Sequence, residues 1–402
     1  MATVLDRPSL TQASSALGDK LTALRRAIHL EPEIGLMTPL TRDKVRAALA
    51  HLPLTWREGP STTGLMATLD SGKAGRSVLL RGDMDALPMP EETGLAFAST
   101  VSGAMHACGH DAHVAMLAGA AELLCARADG LEGQVHFMFQ PGEEGWHGAR
   151  FMMNDGLLDP RPDAAFALHV MPTGPGGLVA GRSGPLLAAA DRVFIVVIGR
   201  GGHASMPHQT LDPIPVACEI VTALQALVTR RFDAADAVVV TIAKIVAGTS
   251  NNVIPDSCEI DGTMRTLSPT ARSRLKTEIT RLAEGIAGAH GLTATVRIEE
   301  GFPVTICDER AVALGETVST ALFGTNAFHR MHDPIMGAED FAYVLEKVPG
   351  AMFFLGVAHE GADLASCCGL HSTRMVLDEG VMPKGAALLA GLAEEFLAHG
   401  FA

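Results

Sequence analysis

The chain contains a short stretch whose residue types are those of a metal site. Cys108 stands two residues before His110, which is followed at once by the acid Asp111. Thiolate and imidazole groups at this spacing match zinc and related divalent ions. The same pair is also typical of a buried thiol packed beside a core histidine. Ligands elsewhere in the chain are therefore needed to distinguish a metal site from ordinary packing.

Further polar groups follow four apolar runs that have the length of strands. Asp83 and Asp85 follow 77–80, Glu143 and Glu144 follow 134–140, His169 follows 164–168, and His371 lies in the loop after 351–357. Taken singly, these residues have ordinary explanations: turn capping for the aspartates, a solvated turn for the glutamates and core packing for the histidine. In an open α/β sheet, however, ligands bind at the edge formed by the carboxyl ends of the strands. The shared position therefore favours one metal site.

The paired acids Glu143 and Glu144 add a chemical argument. Adjacent carboxylates repel each other, and a divalent cation removes the repulsion by taking one of them as a ligand. The other carboxylate is then free to move protons. The pattern indicates a metal ligand with a proton-handling carboxylate beside it.

The elements around these residues predict an α/β fold in two domains. Helical patterns at 17–28, 41–52, 114–124 and 380–397 alternate with the strands, which predicts a sheet covered by helices on both faces. The segment 189–300 has the order strand, helix, strand, strand, helix, strand, typical of a ferredoxin-like unit. We therefore predict a discontinuous catalytic domain, 1–188 and 301–402, with an inserted α+β domain, 189–300.

Composition limits the classes of protein to consider. The 402 residues are 48% hydrophobic with a net charge of −14 and no Lys/Arg-rich run, which argues against a nucleic-acid partner. Seven cysteines without framework spacing indicate a reducing compartment. The first 15 residues lack the apolar core of a signal peptide, and no apolar run reaches about 18 residues. We expect a cytoplasmic protein without a membrane partner.

Eight motifs give the chain a resemblance to the M20 metallopeptidase family. Within it, the chain is similar to aminoacylase and hippurate-hydrolase-like amidohydrolases, which include the plant auxin-conjugate hydrolases. The motifs occur in the family's order from end to end: RGDMDALP (81–88), GAMHACGHDAHVAML (103–117), FQPGEEG (139–145), ALHV (167–170), GRGGHASMPH (199–208), NNVIPD (251–256), MGAEDF (336–341) and LHS (370–372). The resemblance implies a zinc-peptidase-like mixed sheet with an inserted lid and dimerisation domain.

The resemblance also implies a set of site residues. Two divalent ions per subunit would be bound by Cys108, His110, Glu144, His169 and His371. Glu143 matches the general base and Asp85 the acid that supports the site. His203 matches a lid histidine that reaches the partner subunit in family homodimers, and Asn252 and Arg265 match substrate-binding positions. The thiolate favours zinc, although manganese, cobalt or nickel also fit such ligands.

The activity implied is cleavage of the amide bond of an N-acyl amino acid. Metal ions would activate water, Glu143 would carry its proton to the leaving nitrogen, and His203 would donate to the oxyanion. Arg265 would hold the substrate carboxylate. A lid salt bridge is the alternative for Arg265. The identity of the acyl group and of the amino acid stays open.

Several positions depart from the family pattern or have an open role. Leu36 and Met37 replace a usual pair of acids, and Trp146 with His147 replaces small residues. Trp146 either shapes the pocket for an apolar acyl group or packs against neighbouring structure. Asp83 stands where distant relatives have a metal-binding histidine. The adjacent Cys367 and Cys368 form either a buried turn or oxidisable thiols near the ions.

Three rival functions remain at this point. A cysteine hydrolase would use Cys108 as nucleophile with His110 or His113 as base, and would leave the glutamates unexplained. A non-catalytic metal-binding relative would have no need for Glu143. A dipeptidase or N-acetyl-amino-acid deacetylase would use the same motifs.

Overall fold

The computed structural model describes residues 7–364 and 368–401, so Cys367 lies outside the described residues. Ten α-helices occur in these ranges: α1 (Arg7–Ala16), α2 (Gly18–His29), α3 (Pro39–Leu49), α4 (His110–Cys125), α5 (Gly148–Asn154), α6 (Pro213–Arg231), α7 (Pro269–Ala289), α8 (Glu309–Phe323), α9 (Ala342–Leu345) and α10 (Met382–His399).

Sixteen strands occur in the same ranges: β1 (Thr55–Glu58), β2 (Leu65–Asp70), β3 (Ser77–Asp83), β4 (Gln134–Gln140), β5 (Ala164–Met171), β6 (Val179–Gly181), β7 (Gly184–Leu187), β8 (Ala189–Ile198), β9 (Gly202–His203), β10 (Val238–Ala247), β11 (Val253–Ile254), β12 (Ser257–Thr266), β13 (Thr293–Glu300), β14 (Thr305–Cys307), β15 (Phe328–Arg330) and β16 (Gly350–Gly356).

An eight-stranded mixed sheet organises the larger part of the chain. Its strand order is β1-β2-β4-β3-β5-β16-β6-β15. The neighbours β4, β3, β5 and β16 run parallel, so their carboxyl ends meet at one edge of the sheet. These are the four strands predicted to precede the candidate ligands. The predicted mixed α/β sheet is therefore confirmed.

Helix α4 begins at His110 and is buried almost all round. It packs against β3, α2 and α10. Gly119 permits the close approach, because a Cβ at that position would lie 2.9 Å from the Cβ of Ala386 in α10. A helix enclosed on all sides is apolar on all faces. Its amino end, which carries the candidate ligands, is therefore fixed by tight packing.

A second, four-stranded sheet has the order β10-β12-β8-β13 with antiparallel neighbours. This strand order, with one helix after β8 and one after β12, is that of a ferredoxin-like unit. Asp212 accepts the backbone N–H of Ile214 at the start of α6, and Ser268 accepts that of Ala271 at the start of α7. Each cap precedes a proline at the first helical position, a pattern that starts helices sharply.

The chain divides into two compact units: residues 1–186, 306–333 and 340–402 form the first, and residues 187–305 and 334–339 form the second. The segment 334–339 therefore groups with the second unit, whereas the sequence assigned it to the catalytic domain. Its backbone explains the difference, because the N–H of Ala188 donates to the carbonyls of Ile335 and Gly337. The lid and dimerisation role of the second unit stays a prediction.

The structure also describes the state of the cysteines and the length and apolarity of the helices. The six cysteines within the described ranges are free thiols. None of the helices in residues 7–364 and 368–401 is both long and apolar enough to cross a membrane.

Candidate metal centre

The loop that carries Cys108 is held against two distant segments. Gly109 has φ +82°, a left-handed conformation that glycine adopts without strain, and a Cβ there would collide with Cγ2 of Val170. The backbone N–H of His371 donates to the carbonyl of Ala107 at 2.8 Å. The carboxyl end of β5 and the loop after β16 are thus brought to the start of α4.

Two histidines at this point are oriented by their Nδ1 atoms. Nδ1 of His110 donates to the carbonyl oxygen of Asp85 at 2.8 Å, and Nδ1 of His169 donates to that of Val170 at 2.7 Å. In a neutral ring this places the proton on Nδ1 and leaves Nε2 as an acceptor. Nε2 of His169 lies 3.4 Å from Sγ of Cys108. Both rings therefore present the lone pair that a metal ion requires.

The five predicted ligands converge in two overlapping groups, within each of which the candidate atoms lie within 4.8 Å of one another. One group holds Cys108, His110 and His169, and the other holds Cys108, Glu144 and His371. Nε2 of His371 lies 3.2 Å from Oε1 of Glu144. Cys108 is common to both groups.

A buried atom without a partner tests whether this cluster fits a metal. Nε2 of His110 is buried and makes no hydrogen bond in the described part of the chain. Such an atom costs about 1–3 kcal/mol unless a ligand or ion satisfies it. The set of thiolate, imidazoles and carboxylate suits borderline divalent ions. The residues present therefore fit the predicted metal centre.

Asp85 holds the turn that carries the two glutamates. Its carboxylate oxygens accept the backbone N–H of Glu143 at 2.9 Å and of Glu144 at 3.0 Å. Glu143 is itself buried, and its carboxylate lies within 4.8 Å of the candidate ligand atoms of His110 and Glu144. This position places a carboxylate beside the ligand cluster, where proton transfer would occur.

Asp83 belongs to a buried polar network that the sequence did not predict. The guanidinium of Arg81 donates to Oδ2 of Asp83 at 2.5 Å, to Oε1 of Gln140 at 2.8 Å and to Oδ1 of Asp340 at 3.0 Å. Gln140 also donates to Asp340. All these side chains lie in family-like motifs, but only the fold reveals that they pair.

A second unpredicted network supports the amino end of α4. Oδ2 of Asp111 accepts from Nε of Arg25 at 2.9 Å and from Nδ1 of His29 at 2.8 Å. Arg25 also donates to Glu379 at 2.8 Å, and Nε2 of His29 lies 3.2 Å from Glu91. No local periodicity signals these pairs, since the partners lie on separate elements.

Burial and neighbouring charges act against each other at the site. Burial lowers the pKa of His110, but Asp83 and Cys108 outweigh it and raise that pKa well above its usual range. Burial and His113 lower the pKa of His169 well below its usual range. Contacts with Cys108 and Glu144 raise the pKa of His371 to about 10. Protons and metal ions therefore compete for the same lone pairs.

The same features weigh against the cysteine-hydrolase alternative. Burial raises the pKa of Cys108, which disfavours the nucleophilic thiolate. His113 is not available as its base, because Nδ1 contacts Asp83 at 2.6 Å and Nε2 accepts the N–H of Val170 at 2.8 Å.

The second unit brings His203 and Asn252 together. His203 is the last residue of β9 and pairs with Val253 of β11, and Asn252 is the residue just before β11. The N–H of Ser205 donates to Nδ1 of His203 at 3.1 Å, so a neutral ring carries its proton on Nε2. Ser250 donates to Oδ1 of Asn252 at 2.7 Å, which leaves the amide N–H groups as donors. Both exposed side chains can therefore donate to an anion.

Arg265 lies near the carboxyl end of β12. It is opposite Val239 on one side and Ala190 on the other. Burial lowers the pKa of its guanidinium. Among the described residues it makes no salt bridge, so the predicted alternative of a lid salt bridge finds no partner there.

Trp146 lies beside the segment that contains Leu36 and Met37, which also departs from the family pattern. A Cβ on Gly35 would lie 3.1 Å from Cε2 of the Trp146 ring, and one on Gly142 would lie 2.6 Å from Cδ2 of Leu36. Trp146 is 50% exposed and Met37 is 60% exposed. The two unusual segments therefore form one half-exposed apolar surface next to the glutamate turn.

This chain is similar to known proteins along most of its length. The model of Peptidase family M20/M25/M40 matches residues 79–395. Thermostable carboxypeptidase 1 of Saccharolobus solfataricus is 36% identical, covering 94% of this chain and 95% of the relative. N-acetylcysteine deacetylase of Bacillus subtilis is also 36% identical, covering 95% and 98%.

A solved structure extends the comparison to the fold. The YXEP protein of Bacillus subtilis, described as a dinuclear metal binding peptidase from the M20 family, is 33% identical with a TM-score of 0.82, covering 95% of this chain and 99% of that one. These matches span nearly the whole chain. The protein therefore belongs to Peptidase family M20/M25/M40 and is a hydrolase of that family.

Proposed function

We propose that this protein is a metal-dependent amidohydrolase that cleaves N-acyl amino acids into a carboxylic acid and an amino acid. The carrying observation is the pair of ligand groups that share Cys108 and lie beside the buried carboxylate of Glu143. Cys108, His110, Glu144, His169 and His371 would hold two divalent ions. The thiolate favours zinc, and manganese, cobalt or nickel also suit this donor set.

The catalytic roles follow from the chemistry of amide cleavage. Bound divalent ions lower the pKa of water and polarise a carbonyl group. Glu143 takes the proton from the attacking water and delivers it to the departing nitrogen. Asp85 keeps Glu143 in place by accepting its backbone N–H. An Nε2–H on His203 and the amide of Asn252 are donors suited to the oxyanion.

The positions of the second unit's residues support a homodimer in which each site takes groups from both chains. The pair β9–β11 that carries His203 and adjoins Asn252 lies just before the amino end of β12, where the N–H of Gly201 donates to Oδ1 of Asp256, whereas Arg265 is the ninth of the ten residues of β12. Eight residues of strand span about 26 Å, far more than a small N-acyl amino acid. One copy of this unit therefore cannot contact a single substrate with all three side chains. Arg265 of one chain and His203 with Asn252 of its partner would do so.

The edge of the second sheet is a surface on which such a dimer can form. β10 is an edge strand and exposes Val239, Ile245 and Val246. Exposed apolar edge strands promote pairing with another chain. The free thiols of the described cysteines also suit a reducing compartment such as the cytoplasm.

The experiment is a substrate panel with metal control. The full chain is assayed for amine release from N-acetyl, N-benzoyl and indole-acetyl amino acids and from dipeptides, before and after chelation and after addition of Zn²⁺ or Mn²⁺. We expect N-acyl amino acids to be cleaved, chelation to abolish cleavage, and metal to restore it. Cleavage by demetallated protein would contradict the proposal.

A second candidate, a peptidase acting on short peptides, is favoured by the similarity to the thermostable carboxypeptidase. Preference for dipeptides over N-acyl amino acids in the same panel would support it. Metal binding without turnover of any substrate would support a non-catalytic relative.

A further inference from the structure

His113 is a buried histidine that the proposed mechanism does not use. It lies one turn along α4 from His110 and is 2% exposed. Its ring centroid is 4.6 Å from that of His169, with the rings inclined at 63°. A titratable side chain in this position requires a physical explanation, because burying it costs free energy unless its polar atoms are satisfied.

Both ring nitrogens of His113 are satisfied, and only one tautomer allows this. The backbone N–H of Val170 donates to Nε2 at 2.8 Å, so Nε2 carries no proton. The proton is therefore on Nδ1, from which it is donated to Oδ1 of Asp83 at 2.6 Å. These two hydrogen bonds select the Nδ1–H tautomer of His113.

Asp83 is held equally firmly. Its Oδ1 accepts from His113 and its Oδ2 from Arg81. Arg81 is anchored in turn by Gln140 and Asp340. Asp83, His110 and His113 are close enough to hold an ion as a group. With both nitrogens of His113 and both oxygens of Asp83 already engaged, this group is better explained as support than as ligation.

The backbone of Val170 is held on both sides. Its N–H, in the peptide that follows His169, donates to Nε2 of His113, and its carbonyl, in the next peptide, accepts from Nδ1 of His169. A shift of this backbone would therefore move the histidine that is proposed to bind metal. Hydrogen-bond partners of metal ligands commonly change metal affinity 10- to 100-fold when removed.

We propose that His113 and Asp83 form a positioning pair: Asp83 fixes the tautomer of His113, and His113 fixes the backbone of Val170, whose carbonyl orients the ligand His169. This inference rests on the proposed metal site. It assigns Asp83 to support and not to ligation.

The test uses the full-length chain after chelation, titrated with MnCl₂ or ZnCl₂ by calorimetry. Hydrogen exchange of the Val170 amide is measured on the same samples. His113→Phe keeps a ring and removes both hydrogen bonds, His113→Asn keeps a donor near Nδ1, and His113→Gln keeps an acceptor near Nε2. We expect Phe and Asn to speed exchange at Val170 and weaken metal binding about 10- to 100-fold, and Gln to restore part of both.

Asp83→Asn separates support from ligation. A positioning role predicts two ions per chain with reduced affinity, whereas a ligand role predicts the loss of one ion. His136→Phe is the matched control, because His136 is a buried histidine on β4 whose Nδ1 contacts Thr68. Its metal affinity should equal that of the wild type.

The outcomes are distinguishable. Failure of the wild-type chain to bind metal would refute the proposed function itself. Normal metal affinity and normal Val170 exchange in folded His113→Phe would refute the positioning role alone. Equal losses in the Phe, Asn and Gln variants would also refute it, since the role requires the acceptor at Nε2.

Discussion

The ligand cluster of the first unit and the His203–Asn252 pair of the second unit differ in how their side chains are held. In the first unit, His110 and His169 are buried and each has its Nδ1 fixed by a backbone carbonyl. In the second unit, both side chains are exposed, and the described hydrogen bond of each comes from a serine two residues away. The first arrangement is fixed by the fold, whereas the second is fixed only within its own turn.

This difference indicates that the two groups of residues have separate roles. Metal ligands need lone pairs at set positions, which buried second partners provide. Groups that stabilise a transition state can be supplied by a separate surface, provided that it reaches the substrate. Changes at the metal ligands and their buried partners should therefore affect metal binding or stability, and changes at His203 or Asn252 should affect turnover alone.

The largest expected effect is on proton transfer. In Glu143→Gln the shape is kept but no proton can be accepted, so we expect turnover to fall by about 10³-fold or more while the metal content stays unchanged. Turnover and metal content by mass spectrometry are measured together. Glu132→Gln, at an exposed position, is the control. Survival of a tenth of the activity would require another base.

The buried network around Asp111 should dominate stability. Arg25→Met removes a cation that is 2% exposed and leaves the fully buried carboxylate of Asp111 with His29 as its remaining partner among the described residues. We therefore expect a loss of about 3–5 kcal/mol in the free energy of unfolding. Arg192→Met, in the exposed pair with Asp261 of the second unit, should cause no measurable loss. Urea unfolding of both variants tests the contrast, and equal losses would remove it.

The third prediction concerns His203. Because it is proposed to donate to the oxyanion without binding metal, His203→Ala should lower turnover about 100-fold at unchanged metal content. Mixed dimers of His203→Ala and Glu143→Gln chains should regain activity, since one of their sites combines an intact base with an intact histidine. Loss of metal in His203→Ala, or no recovery in mixed dimers, would place this histidine in a different role.

The sequence predicted what local pattern encodes. The run 134–140 is the strand Gln134–Gln140, because an apolar segment stops at a Pro-Gly turn. The rule that the carboxyl ends of parallel strands meet at one sheet edge predicted that Glu144, His169 and His371 would lie close together, and the full set of five ligands was implied by the family resemblance. Local pattern could not predict which polar groups pair across the fold. His113 and Val170 are 57 residues apart, and Arg81 and Asp340 are 259 apart.

The smallest predicted effect concerns a surface whose residues are far apart in the sequence. Leu36–Met37 and Trp146 depart from the family pattern at separate places, yet the Trp146 ring lies against Gly35. If this surface contacts the acyl group, Trp146→Gly should lower kcat/KM for benzoyl substrates about tenfold more than for acetyl substrates, the scale of an apolar pocket contact. Trp56→Gly, on the edge strand β1, is the control. An unchanged benzoyl-to-acetyl ratio would mean that Trp146 only packs against the turn, and selectivity would then have to come from elsewhere in the site.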